Sequence, residues 1–292
     1  MVIGSRGSAL ALWQARCVAA QLERLGVTAR IEIIRTTGDR LQTDSAAPAG
    51  KGLFTKEIED ALLSGAIDLA VHSLKDLPTE LPKGLTLAAI PEREDARDAM
   101  VGGRLAELRA GGRVGTSSDR RAAQLRVLRP DLKIEAIRGN VDTRLRKRRE
   151  GEFDAIVLAL AGLRRLHLEH EAAEVFEPDQ MCPAPGQGAL GIETRADGEA
   201  RRICMQLNHL ASAAAVACER AVLAGLGGGC QLPLGAYAER NGDELSVTAV
   251  VVARDGSRLI RAQAEGPVDD PARLGASVAE DLKSRGAASL LS

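Results

Sequence analysis

The chain has 292 residues, 45% hydrophobic and 27% charged, which suits a globular protein with room for two or three cored domains. A formal net charge of −1 argues against a generic polyanion binder, and an aromatic content of 2% argues against recognition by base stacking. Five cysteines, at 17, 182, 204, 218 and 230, form an odd set without CxxC spacing, which argues against both a disulfide framework and a zinc knuckle.

The opening Met1-Val2-Ile3-Gly4-Ser5-Arg6 has no basic stretch leading into an apolar one, and no apolar run approaches a membrane span. A reducing cytoplasm is therefore expected, with no membrane association. Residues 2–4 predict a short strand, 9–25 a helix by apolar spacing, 29–35 an alternating strand, 55–64 a helix and 67–71 a buried strand. Pro78, Pro82 and Pro91 interrupt regular structure around a further strand at 86–90. A second α/β unit begins near Glu94, with strands at 113–115, 133–137 and 155–160 and helices at 119–128 and 142–150. Such alternation predicts mostly parallel sheets with helices on both faces, and ligands at the carboxyl ends of the strands. Pro183-Ala184-Pro185-Gly186-Gln187-Gly188 marks another break before a strand at 189–193. After an alanine-rich helix, segments 234–238, 245–252 and 258–264 read as a meander closed by a helix near 271–284, a small α+β domain. No internal repeat is visible in the sequence.

The most informative stretch is Gly227-Gly228-Gly229-Cys230-Gln231-Leu232-Pro233-Leu234-Gly235, one thiol in a loop stripped of side chains. Three glycines open positive φ and leave no Cβ bulk, so a large group can reach the sulfur; glycine loops also simply turn chains. The other cysteines sit in contexts that read as packing.

Between residues 104 and 149 there are fourteen basic residues against five acidic ones. Gly115-Thr116-Ser117-Ser118-Asp119-Arg120-Arg121 runs from a strand end through a hydroxyl-rich turn into a helix. Arg138-Gly139-Asn140-Val141-Asp142-Thr143-Arg144 repeats that logic one unit later. Helix N-terminal amides beside guanidinium forks make a carboxylate or phosphate site. Arg6 and Ser8 occupy the same kind of junction in the first unit, whereas Arg146 to Arg149 read as a solvated helix face. His72-Ser73-Leu74-Lys75-Asp76-Leu77-Pro78 leaves a buried strand at the sheet edge, where a lysine beside an aspartate can pair anion binding with acid–base chemistry. A plain surface turn closed by Pro78 fits the same spacing, and His72 reads as a hydrogen-bonded structural histidine. Lys51-Gly52-Leu53-Phe54-Thr55-Lys56 lacks the glycine spacing of a nucleotide phosphate loop, and residues 45–50 before it look like a lid.

Taken together, these stretches resemble the porphobilinogen deaminase (hydroxymethylbilane synthase) family over essentially the whole chain. The matching segments are 6–15 (RGSALALWQA), 50–57 (GKGLFTKE), 71–78 (VHSLKDLP), 115–121, 138–145, 185–193 (PGQGALGIE) and 229–235 (GCQLPLG), in the family's order. The resemblance implies two periplasmic-binding-protein-like (type II) doubly wound α/β lobes flanking a cleft, residues 1–92 with 187–206 and residues 93–186. A C-terminal α+β domain, residues 207–292, would carry the cofactor cysteine. It further implies a dipyrromethane cofactor held as a thioether on Cys230. Four porphobilinogen units would be added head to tail with loss of ammonia, and water would release the linear tetrapyrrole. Each unit brings an acetate and a propionate, which explains a need for clustered cations.

By the same resemblance Asp76 is the catalytic acid, stabilising the cationic azafulvene left by ammonia. Lys75, Ser117, Arg120, Arg121, Arg138, Gly139 and Gln187 contact the cofactor. Arg6, Ser8, Phe54, Arg144 and Arg165 contact substrate. No metal, nucleic acid or obligate protein partner is expected, and a monomer suffices. Asp119 stands where the family usually has an apolar residue, which allows a helix cap or a pairing with an arginine. A lysine that some members carry before Lys51 is missing, leaving Lys51 and Lys56 to cover it. Two other readings stay open: a two-lobed binding protein that clamps an organic anion, and a nucleic-acid binder using the basic helix.

Overall fold

The computed structural model describes residues 1–38, 55–228 and 232–291. Two compact units emerge: residues 1–93 with 189–213, and residues 94–188 with 214–292. In the first unit the chain forms β1 (Val2–Ser5), helix α1 (Ala9–Arg24), β2 (Arg30–Ile33), α2 (Lys56–Leu63), β3 (Leu69–Ser73) and β4 (Leu85–Ala89). The second unit opens with β5 (Asp98–Val101), β6 (Arg113–Gly115), α3 (Asp119–Leu128), β7 (Lys133–Glu135), α4 (Val141–Arg149), β8 (Ala155–Ala159), α5 (Leu160–Arg165) and β9 (Ala172–Val175). The chain then returns to the first unit with β10 (Leu190–Arg195) and α6 (Glu199–Cys204). It finishes with α7 (Leu210–Gly225), β11 (Leu234–Asn241), β12 (Glu244–Val252), β13 (Leu259–Pro267), α8 (Pro271–Ser284) and α9 (Ala288–Leu291).

Both α/β lobes use one sheet plan. The first sheet runs β2-β1-β3-β10-β4 and the second β7-β6-β8-β5-β9. In each, three strands are parallel, and the fourth is antiparallel to both of its neighbours. That antiparallel strand is in each case the first one after the chain has crossed from the other unit. Both are mixed, doubly wound sheets. The repeat is one of topology, with no counterpart in the sequence.

Period-2 burial explains the layers. In β8, Ala155 and Val157 join Val114, Leu125 and Phe176 on one face, while Ile156 and Leu158 join Ile137, Leu145 and Leu163 on the other. In the first lobe, Ala15, Val18 and Leu22 of α1 cover Ile3, Leu69 and Val71, and Ile58 and Leu62 of α2 cover Ala70 from the opposite side. Each such fully buried Leu or Ile contributes about 1.5–3 kcal/mol, so a strand apolar on both faces is held from both sides.

The last three strands form an antiparallel meander, β11-β12-β13. Val247, Ala249 and Val251 face Val222 of α7 and Val278 of α8, whereas Val250 and Val252 pack on Ala123 of α3 and on Cys182. The second unit therefore contains both an α/β lobe and this smaller module. Glu219 of α7, fully buried, accepts from the Ala238 amide at 2.8 Å and from the Gly186 amide at 2.7 Å. It thereby ties the loop that carries Gln187 to β11. Among the described residues, no helix is long and apolar enough to cross a membrane.

Candidate active site

In the first lobe, parallel neighbours β1 and β3 end at one sheet edge. Beyond β1, Arg6 and Gly7 lead to Ser8, whose Oγ caps α1 by accepting from the Ala11 amide at 3.3 Å. Beyond β3, a 3₁₀ turn over Leu74–Asp76 is pinned by buried Leu74 and Leu77 and by a 3.0 Å bond from the Leu74 amide to the Ala189 carbonyl. Pinning the leucines leaves Lys75 half-buried and turns Asp76 out to solvent. Arg6, Ser8, Gln14, Thr55, His72 and Asp76 then line a cavity of about 100 Å³. The Gln14 amide donates to Ser73 Oγ at 2.7 Å, and His72 Nε2 meets Glu193 Oε2 at 2.9 Å in the interior. A cation, a carboxylate and a helix N-terminus thus share one small space.

In the second lobe, three parallel strands again end together. Ser118 caps α3 and Asn140 caps α4, with side-chain oxygens accepting from the Arg121 and Thr143 amides at 3.4 and 3.1 Å. Ser117 Oγ donates to the Ile137 carbonyl at 2.7 Å, which joins the two loops. Gly139 takes φ +113°, and a Cβ there would stand 2.6 Å from the Thr143 methyl, so the position requires glycine. Its carbonyl accepts from Arg144 Nε at 2.8 Å. Arg138 is exposed.

Arg120 and Arg121, both buried, converge on Asp98, which is 0% exposed. Arg120 Nη1 lies 2.7 Å from Asp98 Oδ2, and Arg121 Nη2 lies 2.7 Å from Oδ1. Gln187 Nε2 donates to Asp98 Oδ1 at 2.9 Å and to the Ala96 carbonyl at 2.6 Å, and its Oε1 accepts from both arginines at 3.4 and 3.5 Å. Burial works to raise the Asp98 pKa, but the two guanidiniums outweigh it and hold the carboxyl well below the usual range. Two cations on one anion leave one positive charge over in these three groups, and Arg120 Nε is buried without a hydrogen-bond partner among the described residues. Arg165, also buried, donates from Nη2 to the Gly188 carbonyl at 2.6 Å.

The remaining sequence candidates separate cleanly. On α4, Arg146 pairs with Glu150 at 2.6 Å, Lys147 with Glu152 at 4.0 Å and Arg149 with Glu171, as expected of a solvated face, whereas Arg148 is half-buried and donates to the Gly102 carbonyl at 2.9 Å. Asp119 neither caps α3 nor touches the paired arginines; it bonds Arg254 at 3.2 Å. Burial pushes the thiols of Cys182, Cys204 and Cys218 up to about 12, so they stay protonated at neutral pH. Cys230, Phe54, Lys51 and the segment 45–50 lie outside the described residues. Among the described residues no cluster of His, Cys, Asp and Glu could hold a metal ion.

The family described as "Porphobilinogen deaminase, dipyromethane cofactor binding domain" matches residues 1–202, and "Porphobilinogen deaminase, C-terminal domain" matches residues 213–284. The chain belongs to the porphobilinogen deaminase family. A porphobilinogen deaminase of Roseiflexus sp. (strain RS-1) is 51% identical over 100% of this chain and 98% of its own length. One from Methylobacillus flagellatus is 47% identical over 100% of this chain and 96% of its own. Among solved structures, a periplasmic substrate-binding protein from Coxiella burnetii covers 71% of this chain and 91% of its own, at 13% identity and a TM-score of 0.45.

A dipyrromethane is a pair of pyrroles bearing acetate and propionate groups, so a porphobilinogen deaminase lobe that holds it needs cationic donors. The second-lobe edge fits: it carries surplus positive charge, a guanidinium Nε with no partner among the described residues and two capped helix N-termini. Sequence reading missed the buried acids Asp98, Glu193, Glu59 and Glu219. An acid opening a short apolar run (Asp98) or closing one (Glu193) was the signal available.

Proposed function

We propose that the chain polymerises porphobilinogen head to tail with loss of ammonia, extending a dipyrromethane primer joined to Cys230, and releases hydroxymethylbilane after four additions by hydrolysis. Membership of the family supports the activity and the cofactor. For the residue roles, the carrying observation is the cavity that gathers Arg6, Ser8 and Asp76 at one sheet edge.

When bound, the dipyrromethane supplies the nucleophilic pyrrole carbon from which the chain grows. Lys75, Ser117, Arg120, Arg121, Arg138, Gly139 and Gln187 would hold its carboxylates and orient it. Arg6, Ser8, Phe54, Arg144 and Arg165 would bind the incoming porphobilinogen and the lengthening oligopyrrole. Bidentate guanidiniums suit carboxylates, and buried ones gain from the low dielectric. Asp76 would accept pyrrole N–H bonds and lower the energy of the positive charge that develops as the aminomethyl C–N bond breaks. Its exposed carboxylate is free to move a proton at the same site.

We read the organisation as three working parts: a first lobe of residues 1–92 with 187–206, a second lobe of 93–186, and a cofactor-carrying module of 207–292. A cytoplasmic monomer without protein, nucleic-acid or membrane partners fits the composition. Intact mass under denaturing conditions, beside Cys230→Ser, tests the assignment. An excess of two linked pyrrole units in the parent alone supports it. An unmodified parent that gains nothing from porphobilinogen or preformed tetrapyrrole overturns it.

A further inference from the structure

Behind the Asp76 cavity lies a second group of ionisable side chains that the roles above leave unused. The register pairs Ala70 with Glu193 and His72 with Gly191, so His72 and Glu193 are diagonal neighbours on the face covered by α2. Glu59 reaches this face from α2. Glu193 is 0% exposed, His72 8% and Glu59 9%. His72 Nε2 and Glu193 Oε2 are bonded at 2.9 Å, yet among the described residues Glu193 Oε1 and Glu59 Oε1 are buried with no hydrogen-bond partner. His72 and Thr55 are also part of the cavity wall that includes Asp76.

A purely structural trio would satisfy those oxygens. Two buried carboxylates beside one imidazole crowd negative charge into a low dielectric, an arrangement that costs free energy unless the charge is offset. Burial raises the Glu59 pKa, and the Glu193 charge and Asp60 add to it, against lowering by the Thr55 hydroxyl and the His72 ring. The groups facing Glu59 are thus Glu193 from β10, His72 from β3 and Asp60 on its own helix, with Arg6 and Asp76 on the cavity wall beyond.

The reaction has a matching need. At each addition the amine of the incoming porphobilinogen takes up a proton, its C–N bond breaks and it leaves as ammonia. A C–C bond forms to a pyrrole carbon, which gives up its proton. The proton given up replaces the one the amine took up, so the balance needs no co-reactant, only somewhere to hold a proton between the two events.

We infer that Glu59, His72 and Glu193 form a proton-holding cluster that takes up the displaced proton through the His72 ring and passes it to the departing amine or to solvent. The inference rests on the Asp76 cavity being the reaction site. Glu59 and Glu193 act through His72 and are positioning residues.

Two measurements on the purified full-length protein test it. Infrared spectra of parent and Glu59→Gln should show a buried carboxylic-acid band that the variant lacks. In turnover with porphobilinogen, Glu59→Gln should lower kcat about 10- to 100-fold at unchanged KM and flatten the pH profile, with partial rescue in Glu59→Asp. Gln is the neutral isostere, so a merely structural acid would be replaced silently. A parent without the band, or Glu59→Gln with kcat within about twofold of the parent and the same pH profile, overturns the inference. If Glu59→Gln does not fold, His72→Gln takes its place in the kinetic test with the same two outcomes. Asp76→Asn separates the readings: a slow Asp76→Asn beside a normal Glu59→Gln defeats the cluster alone, whereas a fast Asp76→Asn defeats the site.

Discussion

The two α/β lobes share a sheet plan and differ in the charge they bury. In the first, antiparallel β10 carries Glu193 into a group with Glu59 and His72, an interior short of positive charge. In the second, antiparallel β5 carries Asp98 beneath Arg120 and Arg121, an interior short of negative charge. One backbone thus supports two electrostatic sites, because the strand entering from the other unit is buried on both faces and its few polar positions set the local sign.

Removing Asp98 breaks the contrast hardest. Asp98→Ala leaves two buried guanidiniums without their anion and should cost about 3–5 kcal/mol, read as a lowered urea midpoint. An unchanged midpoint would mean the pair is solvated. Next comes the backbone at the second edge. Gly139→Ala forces a Cβ against Thr143 at positive φ and should destabilise by about 1–3 kcal/mol while weakening cofactor retention. The lobes should also differ in the sign of their pH dependence. The Asp98 pKa is lowered on folding, so its contribution is complete above about pH 4 and is lost as pH falls below that. The Glu59 pKa is raised, so its contribution is complete below about pH 4 and is lost as pH rises through the folded value. Urea midpoints across pH should therefore show Asp98→Asn flattening the acid side and Glu59→Gln the opposite side. The smallest effect belongs to Asp119→Ala. Its half-exposed pair with Arg254 should be worth about 0–1 kcal/mol, with turnover unchanged.

Much of this was legible in the sequence. Strands with buried apolar runs, such as β3 and β8, and the loops that end them could be read from periodicity and turn residues. The strands β5 and β9 were not. Ala172–Val175 lacks a β-branched run, and Asp98 follows a charged stretch that reads as surface. β5 is made by pairing with β8 and β9 by pairing with β5, both across long sequence separations. The sheets are mostly parallel, as expected, with one antiparallel strand in each that the sequence pattern does not single out. At the site, the arginines were visible from their junctions, but their shared carboxylate was not, since burial of an acid depends on tertiary packing.

The division of labour is tested most directly by one paired measurement: intact mass and single-turnover rate for Asp76→Asn beside Arg138→Leu. Asp76→Asn should carry the full cofactor mass and turn over at least about 10²-fold more slowly, while Arg138→Leu should show reduced cofactor mass or stalled elongation. Asp76→Asn turning over like the parent, or both variants failing in the same step, would contradict it.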